Sequence, residues 1–351
     1  MSRVTMKDIA LRMGVSVNTV HKAITGKPGV SDEMRSGILL LADDLGYRRN
    51  VNASSLSRKD AKILICLPDT EDGGRLYYAD YWQGCERQIE EAPDIGAAFE
   101  KIRYRFGSYT SVLHEIVYRI EHEEKVDGIL ACAPMQLEEE RLLKRIVDLG
   151  AKLVLIDGDR PQTGRVCAVV PDYAMAGELM AEQAMNLLRD TVPAHLILLA
   201  GDSESDAHAS TTCAFHHLLA ERRPDIVVED LCGAHRCVRE LHEYLSERLS
   251  VGNVDMVCSV FAVGTEVMSN VLEDIGATEK IPAIGNDIFP ESIAALRGGV
   301  VDNLVYKDPI GLAAHALKLL LDCVLLGAIP RDDVELGRVD LVFRSNLDRY
   351  I

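Results

Sequence analysis

Aromatic residues are scarce in this 351-residue chain, which contains 11 Tyr, 6 Phe and a single Trp. Long apolar runs are also missing, since no stretch approaches the roughly 20 apolar residues of a membrane span. The N-terminus has no apolar run of signal-peptide length, so we expect a cytoplasmic protein. Because 48% of the residues are nevertheless hydrophobic, the chain can bury a large core, which argues against disorder.

The chain has few cysteines: there are nine, an odd number, and they are scattered along the sequence. Most stand in apolar runs, which favours free buried thiols in a reducing compartment over a disulfide framework. One cluster, Cys232-x-x-His235-x-Cys237, has the residue types of a metal site. No second ligand pair with zinc-like spacing accompanies it, so we expect neither a metal nor another cofactor.

Positive charge is in deficit, with 38 Lys and Arg against 55 Asp and Glu and a net charge of −17. The deficit is uneven, because residues 1–60 carry a net charge of +4 and the remainder −21. A uniformly basic coating protein is thereby excluded. A short basic segment on an acidic body instead suggests a local nucleic-acid-binding part.

Three short helices are predicted in residues 1–47. A capping-box-like Thr5-x-x-Asp8 begins the first, Ser16 can cap a second over 17–24, and the third begins at Ser31. Only a Gly-containing turn separates the first two, which is the helix-turn-helix arrangement. The alternative is a three-helix bundle that merely packs on the body.

The start of the second helix carries side chains suited to base edges in a DNA major groove. They are Val17, Asn18, His21 and Lys22. The hydroxyl groups of Ser16 and Thr19 could bond phosphates, and Thr5 completes the expected DNA contacts of this head.

Residues 48–60 are polar and basic, and by themselves predict a linker. Asn50 or Asn52 could cap a short helix with Ala53 and Leu56 on one face. So short a helix is unstable alone, since helix nucleation is costly, and it would need a partner helix and DNA.

The head resembles the lactose-repressor (LacI/GalR) family. The resemblance is carried by Val4 to Ala10, Gly14-Val15-Ser16-x-x-Thr19-Val20, Val30-Ser31 and Leu45-Gly46-Tyr47. It implies that Val17, Asn18 and Lys22 read bases, and that Asn50, Ala53 and Leu56 belong to a hinge helix whose leucine wedges into the minor groove. His21 and Arg49 depart from the family, which usually has a small hydroxylic residue and a proline at these positions.

From residue 62 onward, strand-like runs alternate with helix-like runs, which predicts βαβ units and parallel sheets. About 290 residues favour two sheets with a cleft, and a TIM barrel is the alternative from the pattern alone. The body also resembles the periplasmic sugar-binding-protein-like core of the same family. That resemblance implies two lobes: an N-lobe of about 61–160 and 290–325, and a C-lobe of about 161–289 and 326–351.

Five residues of the body are expected to bind an effector between the lobes. Tyr77 and Tyr78 stand where sugar-binding relatives place stacking aromatics, and strand-end Asp157 and Asp287 could accept hydroxyl bonds. Lys307 replaces an amide usual in relatives, so the sugar or sugar derivative could be anionic.

An enzyme is the competing class, because βαβ units also build dehydrogenases and kinases. No G-x-G-x-x-G, P-loop or G-x-S-x-G motif occurs, however, so an α/β enzyme of sugars with an appended head remains only the alternative. The prediction is a homodimeric, ligand-responsive repressor of carbohydrate genes that binds a near-palindromic operator.

Overall fold

The computed structural model describes residues 6–24, 28–45, 61–71, 75–92, 96–105, 107–232 and 238–351. The head has three helices, α1 (Met6–Met13), α2 (Val17–Ile24) and α3 (Asp32–Asp44). Ile9, Val20 and Ile38 are fully buried where they meet. Gly14 lies in the turn between α1 and α2 with a φ of 67°, a left-handed conformation that glycine adopts without steric cost. These positions confirm the predicted helical head. The predicted hinge lies outside the described residues.

The body alternates strands and helices as the sequence predicts. Its first part contains β1 (Ala61–Pro68), α4 (Tyr78–Glu90), β2 (Ala97–Tyr104), α5 (Tyr109–Glu121), β3 (Gly128–Cys132), α6 (Leu137–Asp148), β4 (Lys152–Ile156), β5 (Cys167–Pro171) and α7 (Tyr173–Leu187). The rest contains β6 (Ala194–Gly201), α8 (Asp206–Arg222), β7 (Ile226–Cys232), α9 (Val238–Val251), β8 (Met256–Ser259), α10 (Ala262–Asp274), β9 (Ala283–Asn286), α11 (Pro290–Gly298), β10 (Asn303–Tyr306), α12 (Pro309–Leu326), β11 (Val334–Gly337) and β12 (Asp340–Val342).

These strands form two open six-stranded sheets of matching order, β11-β5-β4-β3-β1-β2 and β12-β10-β9-β8-β6-β7. Each is parallel except that β12 runs antiparallel to β10. Two open sheets rule out the TIM-barrel alternative and confirm the two-lobed α/β body. The matching order makes β4 and β9 equivalent strands of the two lobes.

Strand pairing shows that the chain passes between the lobes at positions that differ from the predicted lobe bounds. β5 pairs with β4 in the first sheet, and β11 adds to its edge, whereas both were expected in the C-lobe. β10 pairs with β9 in the second sheet, although residues 290–325 were expected in the N-lobe. Hydrophobic alternation reveals a strand but not the sheet that receives it, which explains the displacement.

Within each lobe, two helices pack closely against each other at a glycine. A Cβ on Gly84 of α4 would stand 2.2 Å from the Ile310 carbonyl oxygen, and one on Gly177 of α7 would stand 2.2 Å from the Thr211 carbonyl oxygen. α12 is, by length and composition alone, apolar enough to cross a membrane, but most of it is buried. It packs in the N-lobe core against the sheet and α4, so it is a core helix.

The thiols agree with the prediction of free buried cysteines. Among the described cysteines, six are buried and free, while Cys213 and Cys232 are free and exposed. His235 and Cys237, which complete the cluster considered for a metal, lie outside the described residues.

Candidate functional site

Two acidic side chains follow equivalent strands of the two lobes. Asp157 comes directly after β4 and Asp287 directly after β9, and both adopt left-handed φ values, 71° and 69°. This conformation is uncommon for residues with a Cβ, although Asp tolerates it better than most. In open parallel sheets, ligands bind beyond the carboxyl ends of the strands. The structure therefore puts both predicted aspartates at the expected edge.

Four tyrosines converge on the Asp157 carboxylate. Tyr78 donates a hydrogen bond to Oδ2 at 3.1 Å, while Tyr173, Tyr81 and Tyr77 donate to Oδ1 at 2.5, 3.0 and 3.4 Å. Burial raises the pKa of Asp157, and the phenol hydrogen bonds and Lys307 oppose that rise. Burial also raises the pKa of all four phenols, so these tyrosines stay protonated donors.

Lys307 forms a buried ion pair rather than an open cationic site. Its Nζ lies 2.7 Å from Asp287 Oδ1, donates to Asn286 Oδ1 at 2.7 Å, and lies 5.8 Å from the centroid of the Tyr77 ring. Lys307 is only 5% exposed. Burial raises the pKa of Asp287, and Lys307 works against that rise. The structure thus brings all five predicted effector residues together through Tyr77.

A cleft of about 290 Å³ lies beside this network, between the lobes. Its N-lobe wall includes Tyr78, Asp157 and the stacked rings of Tyr104 and Tyr109, whose centroids are 4.4 Å apart. The C-lobe wall is residues 204–207, the turn into α8 and its first two residues. Of the five predicted effector residues, Tyr78 and Asp157 line this cleft, whereas Tyr77, Asp287 and Lys307 are not among its lining residues.

Sequence reasoning missed four tyrosines of the site, Tyr81, Tyr104, Tyr109 and Tyr173. Tyr104 ends β2, Tyr109 and Tyr173 begin the helices after β2 and β5, and Tyr81 lies in the first turn of the helix after β1, so position near a strand end could have found them. Trp82, in contrast, is a packing residue: its Nε1 donates to the Pro68 carbonyl at 2.7 Å, and Arg103 covers its ring.

Two sets of contacts join the lobes. In the first, Arg75 pairs with Glu266 and Glu291, each at 2.9 Å, beside a small apolar contact between Leu76 and Phe289. In the second, Arg160, after β4, pairs with Asp206 at the start of α8, and both residues line the cleft. These contacts cross the gap that a ligand would bridge.

The head presents part of its predicted DNA surface. Val17 and Asn18 are exposed at the start of α2, while Thr19, His21 and Lys22 are half-buried. The Ser16 hydroxyl caps the helix, accepting from the Thr19 backbone N–H at 3.0 Å, and it also bonds the Thr19 hydroxyl at 2.8 Å. Arg35 donates to the carbonyls of Lys22 and Ala23 and so fixes α2 against α3. Thr5, Asn50, Ala53 and Leu56 lie outside the described residues.

Two known protein families match different parts of this chain. Residues 78–327 match the periplasmic binding protein domain family, and residues 5–50 match bacterial regulatory proteins of the lacI family. The chain belongs to the periplasmic binding protein domain family, and it carries a LacI-type head. The resemblance drawn from the sequence is thereby confirmed.

Curated relatives that resemble the chain are regulators by name. HTH-type transcriptional regulator MalR of Streptococcus pneumoniae is 27% identical over 46% of this chain and 51% of its own length. Catabolite control protein A of Priestia megaterium is 26% identical over 62% of this chain and 61% of its own. The matches thus span about half to three fifths of these relatives.

Solved structures show the same body fold. A solute-binding protein of an ABC transporter from Burkholderia graminis, in complex with D-arabinose, has a TM-score of 0.71 at 20% identity, covering 83% of this chain and 97% of that one. A putative LacI transcriptional regulator from Bacteroides fragilis has a TM-score of 0.69 at 18% identity, covering 84% and 100%. At these identities the likeness concerns the fold.

Proposed function

We propose that this chain is a cytoplasmic, sequence-specific DNA-binding regulator, a repressor of carbohydrate uptake or catabolism genes, whose effector is a sugar bound between the lobes. The observation that carries the proposal is the union, in one chain, of a LacI-type head and a periplasmic-binding-protein body with a tyrosine-lined cleft. Regulator names among the relatives support it. The role is binding, not catalysis.

The DNA-binding step uses the exposed start of α2. Val17 and Asn18 stand free of the head core, and Lys22 adds a cation one turn further along the helix. An amide reads adenine and a cation reads guanine in the major groove, whereas a methyl group contacts thymine. Two heads of a homodimer would read the two halves of a near-palindrome. Asn50, Ala53 and Leu56 are proposed as the hinge contacts.

Effector binding is coupled to the degree of closure of the two lobes. A ligand in the cleft contacts Tyr78 and Asp157 from the N-lobe and the start of α8 from the C-lobe, so it favours one degree of closure. Arg75 with its glutamates and Arg160 with Asp206 cross the same gap. Closure then changes the spacing of the paired heads and hence operator affinity.

The test is selection of operator DNA from a random pool with the full chain, followed by gel shifts. Asn18→Ala and Lys22→Ala should each lower specific affinity about fivefold or more, since a good base contact contributes about 1–3 kcal/mol. Lys144→Ala is the matched control, because Lys144 is an exposed cation paired with Asp148 on the body. If no sequence is enriched, or if both head variants bind as well as the control, the proposal fails.

A further inference from the structure

We propose that the cleft takes an uncharged or amine-bearing sugar and rejects sugar acids and sugar phosphates. The inference rests on the proposed function, because it assigns the charge class of that effector. It replaces the expectation, based on Lys307, that the effector could be anionic.

The first support is the charge of the cleft wall. Among the described residues that line it, four carboxylates stand against one guanidinium. The carboxylates are Glu139, Asp157, Glu204 and Asp206, and the guanidinium is Arg160. An added anion therefore meets a wall of its own sign in a partly enclosed site, where such repulsion is poorly screened.

The guanidinium is already committed. Arg160 pairs with Asp206 across the cleft, and its Nη1 also donates to the Asp159 carbonyl oxygen at 2.7 Å. A ligand carboxylate could recruit it only by displacing Asp206 and breaking a contact between the lobes. Arg160 thus serves closure rather than anion binding.

Lys307 is committed as well. It lies 2.7 Å from Asp287 in a pair whose side chains are 6% and 8% exposed, with Asn286 as its second partner. Turning Lys307 toward an anionic ligand would leave the Asp287 carboxylate buried without its counter-ion, which is a costly state. The pair therefore acts as a neutral unit beside Tyr77.

The remaining wall suits a sugar ring or an ammonium group. Tyr78, Tyr104 and Tyr109 offer aromatic faces and phenol groups, and Asp157 and Glu204 can accept hydrogen bonds from hydroxyl or amine donors. The hydroxyls of Tyr78 and Tyr109 already donate to Asp157 and to the Cys132 carbonyl oxygen, so they are not spare donors for a carboxylate or a phosphate.

The experiment measures binding to the full chain by calorimetry and thermal shift at constant ionic strength. The probes are D-arabinose, D-glucose, D-glucosamine, D-glucuronate and glucose 6-phosphate, of which glucose and glucuronate differ only at C6. We expect an uncharged or amine-bearing probe to bind at least tenfold more tightly than either anion. An anion that binds as well as its uncharged counterpart overturns the inference but leaves the sugar effector intact. Binding by none of the five counts against the sugar effector itself, and this inference falls with it.

A variant tests whether the Arg160–Asp206 pair keeps the guanidinium from binding an anionic ligand. Asp206→Asn releases Arg160, so the ratio of glucuronate to glucose affinity should rise at least tenfold. The matched control is Glu182→Gln, which removes the carboxylate partner of Arg222 on the exposed surface of the C-lobe and should leave the ratio unchanged. An unchanged ratio in Asp206→Asn would contradict the role given to the Arg160 pair.

Discussion

Replacing Lys307 by methionine tests whether the Lys307–Asp287 pair is a buried structural unit. The substitution keeps the volume but leaves the Asp287 carboxylate, 6% exposed, without its cation. Removing one partner of a buried pair costs about 3–5 kcal/mol. At roughly 2–4 °C per kcal/mol the melting temperature should fall by about 6–20 °C. Circular dichroism melts of the purified chain measure this.

The deficit of Lys307→Met should depend on pH. Burial already raises the pKa of Asp287 in the native state, and Lys307 opposes that rise, so the variant raises the pKa further. A carboxyl whose native pKa is above its unfolded value, about 3.9, loses stability as pH rises through that window. The deficit should therefore be smaller at pH 5 than at pH 8.

A double variant completes the test. Asp287→Asn combined with Lys307→Met removes both charges, so it should be more stable than Lys307→Met alone. The reasoning is refuted if Lys307→Met costs less than about 1 kcal/mol, or if the two substitutions add without recovery.

Three further outcomes are expected from melts of single variants. Gly177→Ala should cost about 1–3 kcal/mol of stability, because its Cβ would meet a carbonyl oxygen at 2.2 Å. Gly298→Ala is the control and should cost less, since its Cβ would have no neighbour within 3.4 Å. Equal losses in the two variants would contradict this. Burial and the charge of a neighbouring aspartate raise the pKa of Asp80 to about 6, so Asp80→Asn should stabilise more at pH 8 than at pH 5, and the reverse order would show the sign to be wrong. Tyr173→Phe removes a 2.5 Å hydrogen bond to the buried carboxylate and should cost about 1–3 kcal/mol, while Tyr118→Phe, at a side chain that is 61% exposed, serves as the control.

The head and the layout of the body could be predicted from sequence because they depend on local rules. The left-handed turn between α1 and α2 favours glycine at position 14, Ser16 caps α2, and each of the three helices has an apolar face that contributes one of Ile9, Val20 and Ile38 to the core. Alternation of strand-like and helix-like runs predicted parallel sheets for the same reason. These features involve residues within a few positions of each other, so a linear reading finds them.

The partners of the charged groups were decided only by tertiary structure. In sequence, Lys307 is a cation before Asp308-Pro309, and nothing local shows that Asp287, twenty residues earlier and directly after the neighbouring strand β9, neutralises it. Nor does chain order show that tyrosines 77, 78, 81 and 173 meet at Asp157. The sequence determined which residues stand at strand ends. Long-range packing decided how the strands pair. That pairing decided which of the charged side chains neutralise one another and which can contact a ligand.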